Sequence, residues 1–206
     1  MFLTKSSPVP AARRACVSRR TGETAITVAL ALDGRGQSEL ATGIGFLDHL
    51  LSALTKHAAF DLELRCTGDL HVDDHHSAED CALALGSALD QALGERRGIV
   101  RFGSAYAPLD EALARAVVDL SGRPYAAISL GLERSVLGGL ACENIGHVLS
   151  SLATAARATL HVDVLRGAND HHRAEAAFKA TALALRQAVA RVPSGAQDIP
   201  STKGVL

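Results

Sequence analysis

Two short segments of the chain combine histidine with carboxylate side chains in the same order. They are DHHSAED (residues 74–80) and DHHRAEA (residues 170–176). In each segment a histidine precedes a glutamate by four residues, which on a helix places both side chains on one face, about 5–6 Å apart at Cβ. Side chains at that separation can chelate one metal ion. We therefore expect His75 with Glu79, and His171 with Glu175, to be metal-ligand pairs.

The second histidine of each segment, His76 or His172, points away from the first. Consecutive residues of an α-helix are separated by about 100° around its axis. We therefore predict that His75 and His76 do not bind the same ion, and that each segment contributes to two different sites.

Both segments belong to a longer internal repeat. HLLSAL (49–54) matches HVLSSL (147–152) and FDLEL (60–64) matches ATLHV (158–162), each at an offset of 98, whereas the DHHxxE segments match at an offset of 96. The two-residue difference falls in the intervening loop, where insertions are tolerated. The repeat places His49 and His147 at matching points, which makes them further candidate ligands.

The elements that must position these residues can be predicted from apolar spacing. A helix with one buried face should follow each DHHxxE segment, through Cys81, Leu85, Ala88, Leu89 and Ala92, and through Ala177, Thr181, Ala184, Leu185 and Ala188. TAITVAL, ALARAVVDLSG and PYAAISL are typical of strands. Because no Gly-rich phosphate loop occurs, we predict an α+β fold with an internal duplication. Its two similar halves, 21–110 and 111–192, should each be a β-sheet with helices on one face.

The composition is that of a globular chain and narrows the classes of function. The 206 residues are 48% hydrophobic with a net charge of -1, so nucleic acid is not an expected partner, and no apolar run is long enough to cross a membrane. The four cysteines form no CxxC pair, which favours a reducing compartment, and we expect the cytoplasm. Residues 1–20 have the arginines and serines of a transit peptide, but we favour a short, disordered or partly ordered start before a functional domain of 13–206.

Histidine and carboxylate ligands without a thiolate suit manganese, iron, zinc or nickel. We predict one site from His49, His75, Glu79 and His172, and its mate from His147, His171, Glu175 and His76. A single carboxylate per ion leaves coordination positions open on an octahedral ion, which indicates catalysis. The three remaining histidines have no partner in the repeat, and we assign them structural or supporting roles: His57, His71 and His161.

Beyond these residues, the sequence resembles the imidazoleglycerol-phosphate dehydratases over nearly its whole length. The motifs that carry the resemblance are, in order, GIGFLDHLL, DDHHSAEDCALALG, RRGIVRFG, DLSGRPY, LHVDVLRGANDHHRAEAAFKA and PSTKGVL. It implies dehydration of D-erythro-imidazoleglycerol phosphate to imidazole-acetol phosphate, a step of histidine biosynthesis, with two manganese ions per active site in a homo-oligomer of 24 subunits. The family's metal ligands fall on the eight residues assigned above. One departure is Gly146, which stands before a ligand histidine where a bulkier residue is usual.

The resemblance also implies residues that contact the phosphorylated imidazole substrate. They are Glu23, Arg101, Arg123, Ser201 and Lys203. Glu23 is our preferred proton carrier, and we count Glu79 and Glu175 with it as catalytic carboxylates. Residues 193–206 should form a C-terminal flap that closes over the phosphate. By contrast, we expect Arg96 and Arg97 to be solvated surface charges.

Two other functions are compatible with the same residues. A two-metal phosphoesterase would also use a dinuclear site, but it predicts aspartates as bridging ligands. In a non-catalytic assembly, the ions would only hold subunits together, and a closed coordination shell without a pocket would favour that alternative.

Overall fold

The computed structural model describes residues 12–192, 198–204 and 206. The first half of the chain forms a four-stranded sheet and two helices. Its strands are β1 (Arg14–Arg20), β2 (Thr24–Ala31), β3 (Ser38–Ala41) and β4 (Asp61–Gly68), in the order β1-β2-β4-β3. Its helices are α1 (Gly45–Ala58) and α2 (His75–Leu93).

The second half repeats this arrangement. Its strands are β5 (Phe102–Leu109), β6 (Ala112–Asp119), β7 (Tyr125–Ser129) and β10 (Thr159–Arg166), in the order β5-β6-β10-β7. Its helices are α3 (Cys142–Ala155) and α4 (Asp170–Val189), and a small hairpin of β8 (Val136–Leu137) and β9 (Leu140–Ala141) precedes α3. The matching strand orders confirm the predicted α+β duplication.

Each sheet covers its helices with one face only. Along β2, alternate residues from Thr24 to Leu30 are buried, as expected for a strand with one solvent-facing side. The ten helix positions predicted to be buried in α2 and α4 are all buried. The helices also pack across the halves, α1 on α4 and α2 on α3, so the two sheets lie on the outside.

The contact between α2 and α3 depends on a glycine. A Cβ atom added to Gly86 would lie 2.5 Å from the carbonyl oxygen of Leu152 and 2.7 Å from the Cβ of Ala155. Only a residue without a side chain allows the helix backbones to approach so closely.

Two strands lie near the expected boundaries of the halves. The strand β1 begins at Arg14, within the partly ordered start, and pairs with β2. The strand β5, which precedes residue 111, pairs with β6 in the second sheet. Residues 1–11, 193–197 and 205, parts of the predicted start and flap, lie outside the described residues.

Arg96 is not a surface charge as expected, because only 3% of it is exposed. Its guanidinium donates hydrogen bonds to the carbonyl oxygens of Arg157 and Ala156, and to Asp90. It therefore joins the end of α2 to the end of α3. Arg97 is exposed, as predicted. Among the described residues, none of the helices combines the length and apolar character of a membrane span.

Candidate metal centre

The first cluster of possible ligands, here called the His49 group, consists of His49, His171 and Glu175. One ligand atom from each lies within 4.8 Å of the other two. The Nε2 atom of His49 is 2.8 Å from Oε2 of Glu175, and Nε2 of His171 is 3.2 Å from the same oxygen. The three side chains thus converge on one point.

The second cluster, the His75 group, consists of His75, Glu79 and His147 and meets the same 4.8 Å limit. The Nε2 atom of His147 is 3.0 Å from Oε1 of Glu79. The Nε2 atom of His75 is 3.8 Å from the other oxygen of that carboxylate. Both groups offer two imidazoles and one carboxylate, a donor set that fits a transition-metal ion.

Each group draws its residues from both halves of the chain. His49 lies on α1 and its partners on α4, whereas His147 lies on α3 and its partners on α2. Our prediction that His49 joins the His75–Glu79 pair of its own half is therefore wrong. The reason is tertiary, because α1 packs on α4 and α2 packs on α3.

His76 and His172 lie outside both groups of this chain. The Nδ1 atom of His76 is 3.0 Å from Oδ2 of Asp69, and its Nε2 is 3.6 Å from Oε1 of Glu23. The Nδ1 atom of His172 is 2.8 Å from Oε2 of Glu111. The hydrogen bonds to these carboxylates raise the pKa values of both histidines.

Two site residues were missed by the sequence reasoning, Glu111 and Lys179. The hydrogen bond from His172, and then those from the backbone N–H groups of the 168–169 segment, lower the pKa of Glu111 to about 2. The Lys179 ammonium lies 2.6 Å from Oε1 of Glu175, four residues earlier on α4. That spacing in the sequence could have revealed it.

Glu175 is held in its ionised form. Burial alone would raise its pKa, but the hydrogen bonds from Lys179 and His49 outweigh burial and bring the pKa to about 2. A deprotonated carboxylate between two imidazoles is ready to bind a cation.

The aspartates that begin the two DHHxxE segments do not enter either group. Asp74 accepts hydrogen bonds from the backbone N–H of Ala141 and the side-chain amide of Asn144. Asp170 accepts from the backbone N–H groups of Glu133 and Arg134. Asp74 thus binds the start of α3 and Asp170 binds the segment before β8, which argues against the aspartate-bridged site of a phosphoesterase.

Two of the proposed phosphate contacts, Arg101 and Arg123, lie around Asp119. The Arg101 guanidinium donates to both Asp119 oxygens, at 2.7 and 3.0 Å, and to the carbonyl oxygen of Pro200 at 2.7 Å. Arg123 is more exposed and lies 3.9 Å from Asp119. The hydroxyl of Ser201 accepts from the Lys203 backbone N–H. Arg101 thus links the described tail residues to the start of β5.

The cationic cluster and the His49 group lie at opposite ends of α4. The backbone N–H of Arg101 donates to the carbonyl oxygen of Ala188, near the end of that helix, whereas His171 lies in its first turn. Seventeen residues at 1.5 Å each separate the two helix positions by about 25 Å. A small phosphorylated imidazole cannot bridge that distance between the cluster and the His49 group of one chain.

The three unassigned histidines lie elsewhere. Burial, and then the charge of Lys179, lower the pKa of His57, in the last turn of α1. His71 is exposed in the loop before α2. His161 lies on the outer face of its sheet with its ring 5.7 Å from that of Tyr125.

A cavity of about 430 Å³ adjoins His171 and His172, and Arg134 also lines it.

Comparison with known proteins agrees with the fold and identifies the family of the chain. A family model described as Imidazoleglycerol-phosphate dehydratase matches residues 42–185. Proteins of that name from Kluyveromyces lactis and Saccharomyces cerevisiae are 54% and 53% identical to this chain, over 94% of it and 97% and 98% of the relatives.

Two crystal structures carry the same name in full or abbreviated form. Imidazoleglycerol-phosphate dehydratase from Staphylococcus aureus has a TM-score of 0.79 and 34% identity, over 87% of this chain and 99% of that one. IGPD from Pyrococcus furiosus, in complex with (S)-C348, has a TM-score of 0.79 and 37% identity, over 92% and 100% of the chains. The chain belongs to the imidazoleglycerol-phosphate dehydratase family, a family of hydro-lyases in histidine biosynthesis.

Proposed function

We propose that the chain dehydrates D-erythro-imidazoleglycerol phosphate to imidazole-acetol phosphate and water at a site that holds two manganese ions. The observation that carries the proposal is the pair of His49 and His75 groups, each with two imidazoles and one carboxylate within 4.8 Å. Family membership supplies the substrate and the choice of manganese, and the donor set of imidazoles and carboxylates is compatible with that ion. The four cysteines are free, as in a reducing compartment, and the cytoplasm is the proposed location.

Dehydration requires that the substrate lose a hydroxyl group and a proton from the neighbouring carbon. Bound metal ions would supply Lewis acidity that orients the imidazole ring and acidifies its N–H. Glu79 and Glu175 would serve chiefly as ligands, and hydrogen bonds already hold Glu175 ionised. Glu23 is the proposed proton carrier, because its side chain is 53% exposed and stands 3.6 Å from Nε2 of His76.

The phosphate would bind to the cluster around Asp119. Arg101 presents a guanidinium fork, Arg123 and Lys203 add positive charge, and Ser201 adds a hydroxyl group. Asp119 already occupies the fork of Arg101, so it fixes the orientation of that side chain before substrate arrives. The phosphate would then contact the remaining N–H groups.

The separation of about 25 Å along α4 supports an active site shared between subunits. The metal groups of one subunit would face the cationic cluster of another, and His76 and His172 would complete the coordination of ions held by a neighbour. We propose that the assembly is the homo-oligomer of 24 subunits characteristic of the family. Because its ligands come from different chains, removal of metal should yield smaller species that manganese reassembles, as measured by light scattering.

The decisive experiment combines elemental analysis with a dehydratase assay. Protein treated with a chelator should lose activity, and Mn²⁺ should restore both activity and two bound ions per chain. His171→Ala should bind fewer ions, whereas His161→Ala, a histidine outside both groups, should match the wild type. An enzyme that retains full activity without metal would refute the proposal, as would an assembly that binds manganese but releases no ketone from the substrate.

A further inference from the structure

The two histidines outside the metal groups are each held by a carboxylate through the same ring nitrogen. Asp69 lies 3.0 Å from Nδ1 of His76, and Glu111 lies 2.8 Å from Nδ1 of His172. The histidines are equivalent in the repeat, but their carboxylate partners are not. Asp69 lies in the loop before α2, and Glu111 lies in the turn between β5 and β6.

The difference between the partners follows from the unequal loops of the halves. Residues 69–74 connect β4 to α2, whereas only residues 167–169 connect β10 to α4. The shorter loop contains no acidic residue, so His172 has no equivalent of Asp69. Instead, Glu111, the residue immediately before β6, contacts the ring of His172.

The position of Glu111 corresponds to that of Glu23. The eight-residue strands β2 and β6 occupy the same place in their sheets, and each directly follows a glutamate. Glu23 faces the Nε2 atom of its histidine, whereas Glu111 contacts Nδ1. A glutamate at the same backbone position therefore contacts a different ring nitrogen in each half. In both halves, the second histidine of the DHHxxE segment has a carboxylate at Nδ1.

A carboxylate partner determines which ring nitrogen carries the proton. An ionised carboxylate can only accept a hydrogen bond, so the Nδ1 atom that faces it must carry the hydrogen. In a neutral imidazole, Nε2 then keeps its lone pair and is free to bind a metal. Glu111 is itself held by the backbone N–H groups of Ala168 and Asn169, at 3.1 and 2.8 Å.

We propose that Asp69 and Glu111 are positioning residues, which hold His76 and His172 with Nδ1 protonated and leave Nε2 as the metal ligand. The inference rests on the proposed metal site. Both histidine side chains are partly exposed, at 32% and 27%, so these hydrogen bonds restrict rings that solvent would otherwise leave free to rotate.

The test measures manganese binding by the full chain carrying Glu111→Gln. Glutamine can donate its amide N–H to Nδ1 and so permits the wrong tautomer. We expect one class of site to bind Mn²⁺ about 10- to 100-fold more weakly, the range for a group that orients a metal ligand. Pulsed EPR should show one fewer imidazole nitrogen on the ion. Asp69→Asn should have the same effect through His76.

The matched control is Glu63→Gln, since Glu63 is an exposed carboxylate paired with Arg65 on the outer face of the first sheet. It should bind Mn²⁺ as the wild type does. In a His172→Ala background, Glu111→Gln should cause no further loss, because its effect passes through that histidine. The melting temperature of the metal-free protein should be unchanged by Glu111→Gln.

Four results would overturn the proposal. Wild-type affinity and nitrogen count in Glu111→Gln would show that the carboxylate does not position the ligand. An equal loss of affinity in the His172→Ala background, or a lower melting temperature with an unchanged nitrogen count, would show a structural role instead. Wild-type protein that binds no Mn²⁺ would overturn the proposed metal site as well, and this distinguishes the two failures.

Discussion

The grouping of ligands across the halves can be tested by paired substitutions. His49 and Glu175 meet at 2.8 Å in one group, whereas Glu79 lies in the other. His49→Ala and Glu175→Ala should therefore each remove the same ion, and the double variant should lose no second ion. His49→Ala combined with Glu79→Ala should lose both ions.

The expected loss follows from the number of ligands. Each group supplies three ligand residues from one chain, so one alanine substitution leaves two. If the affinity of that site falls about 100-fold, roughly 2.7 kcal/mol, free Mn²⁺ at tenfold the wild-type Kd would fill about 9% of the altered sites instead of about 91%. Binding near two, one and zero ions per chain should thus be well separated.

The assay is equilibrium titration with free Mn²⁺ measured by EPR, on samples whose particle size has been checked. The comparison between the two double variants decides the result, since direct coupling is expected only for residues that share an ion. If His49→Ala and Glu175→Ala together lose two ions, and His49→Ala and Glu79→Ala together lose only one, the pairing of ligands across the halves is wrong.

Four further substitutions test stability and the tail. Gly146→Ala should raise the free energy of unfolding by about 0.5–1 kcal/mol, because the added Cβ would meet only Ile128, at 3.7 Å. Gly86→Ala should lower the free energy of unfolding by about 1–3 kcal/mol, because the added Cβ would overpack the contact with α3. Denaturant titration measures both changes and distinguishes their signs. Arg96→Ala should cost about 1–3 kcal/mol in the same titration, because it removes the donor to the buried carbonyl oxygen of Ala156 and the contact with Asp90, and a change below about 0.5 kcal/mol would contradict that role. Lys203→Ala should lower kcat/KM by a factor that corresponds to roughly 1.5–3 kcal/mol of transition-state stabilisation, with unchanged manganese content. Wild-type kinetics in this variant would show that Lys203 does not contact the phosphate.

The sequence was informative where a residue's role depends on its own helix or strand. The helical spacing of the Cys81 and Ala177 faces and the match between repeats correctly predicted buried faces and the duplicated sheet. The partner of His49 could not be predicted in this way, because it depends on which helices pack together. The same limit applies to Arg96, whose partners on and beside α3 are about sixty residues away in the chain.

Glu111 shows a different limit. Glu111 corresponds to Glu23 only when strands β2 and β6 are aligned, and the offset between these two residues differs from the offsets of the histidine segments. The lengths of loops and turns determine these offsets, and they cannot be read from the short motifs. The resemblance to the family predicts eight ligand residues, and six of them converge in the two groups, but their distribution between the groups depends on the packing of four helices.

The pairing of α1 with α4 and of α2 with α3 has a consequence for how this protein arose and how it diverged. A single ancestral half would have possessed neither group, but two copies related by a twofold axis would have formed two identical ones. Fusion of the copies allowed the two to become unequal. Lys179 now lies 2.6 Å from Glu175, whereas Leu83 occupies the matching place after Glu79. An ammonium group competes with a cation for the same carboxylate, so the ions should load in sequence, with the His75 group filled first.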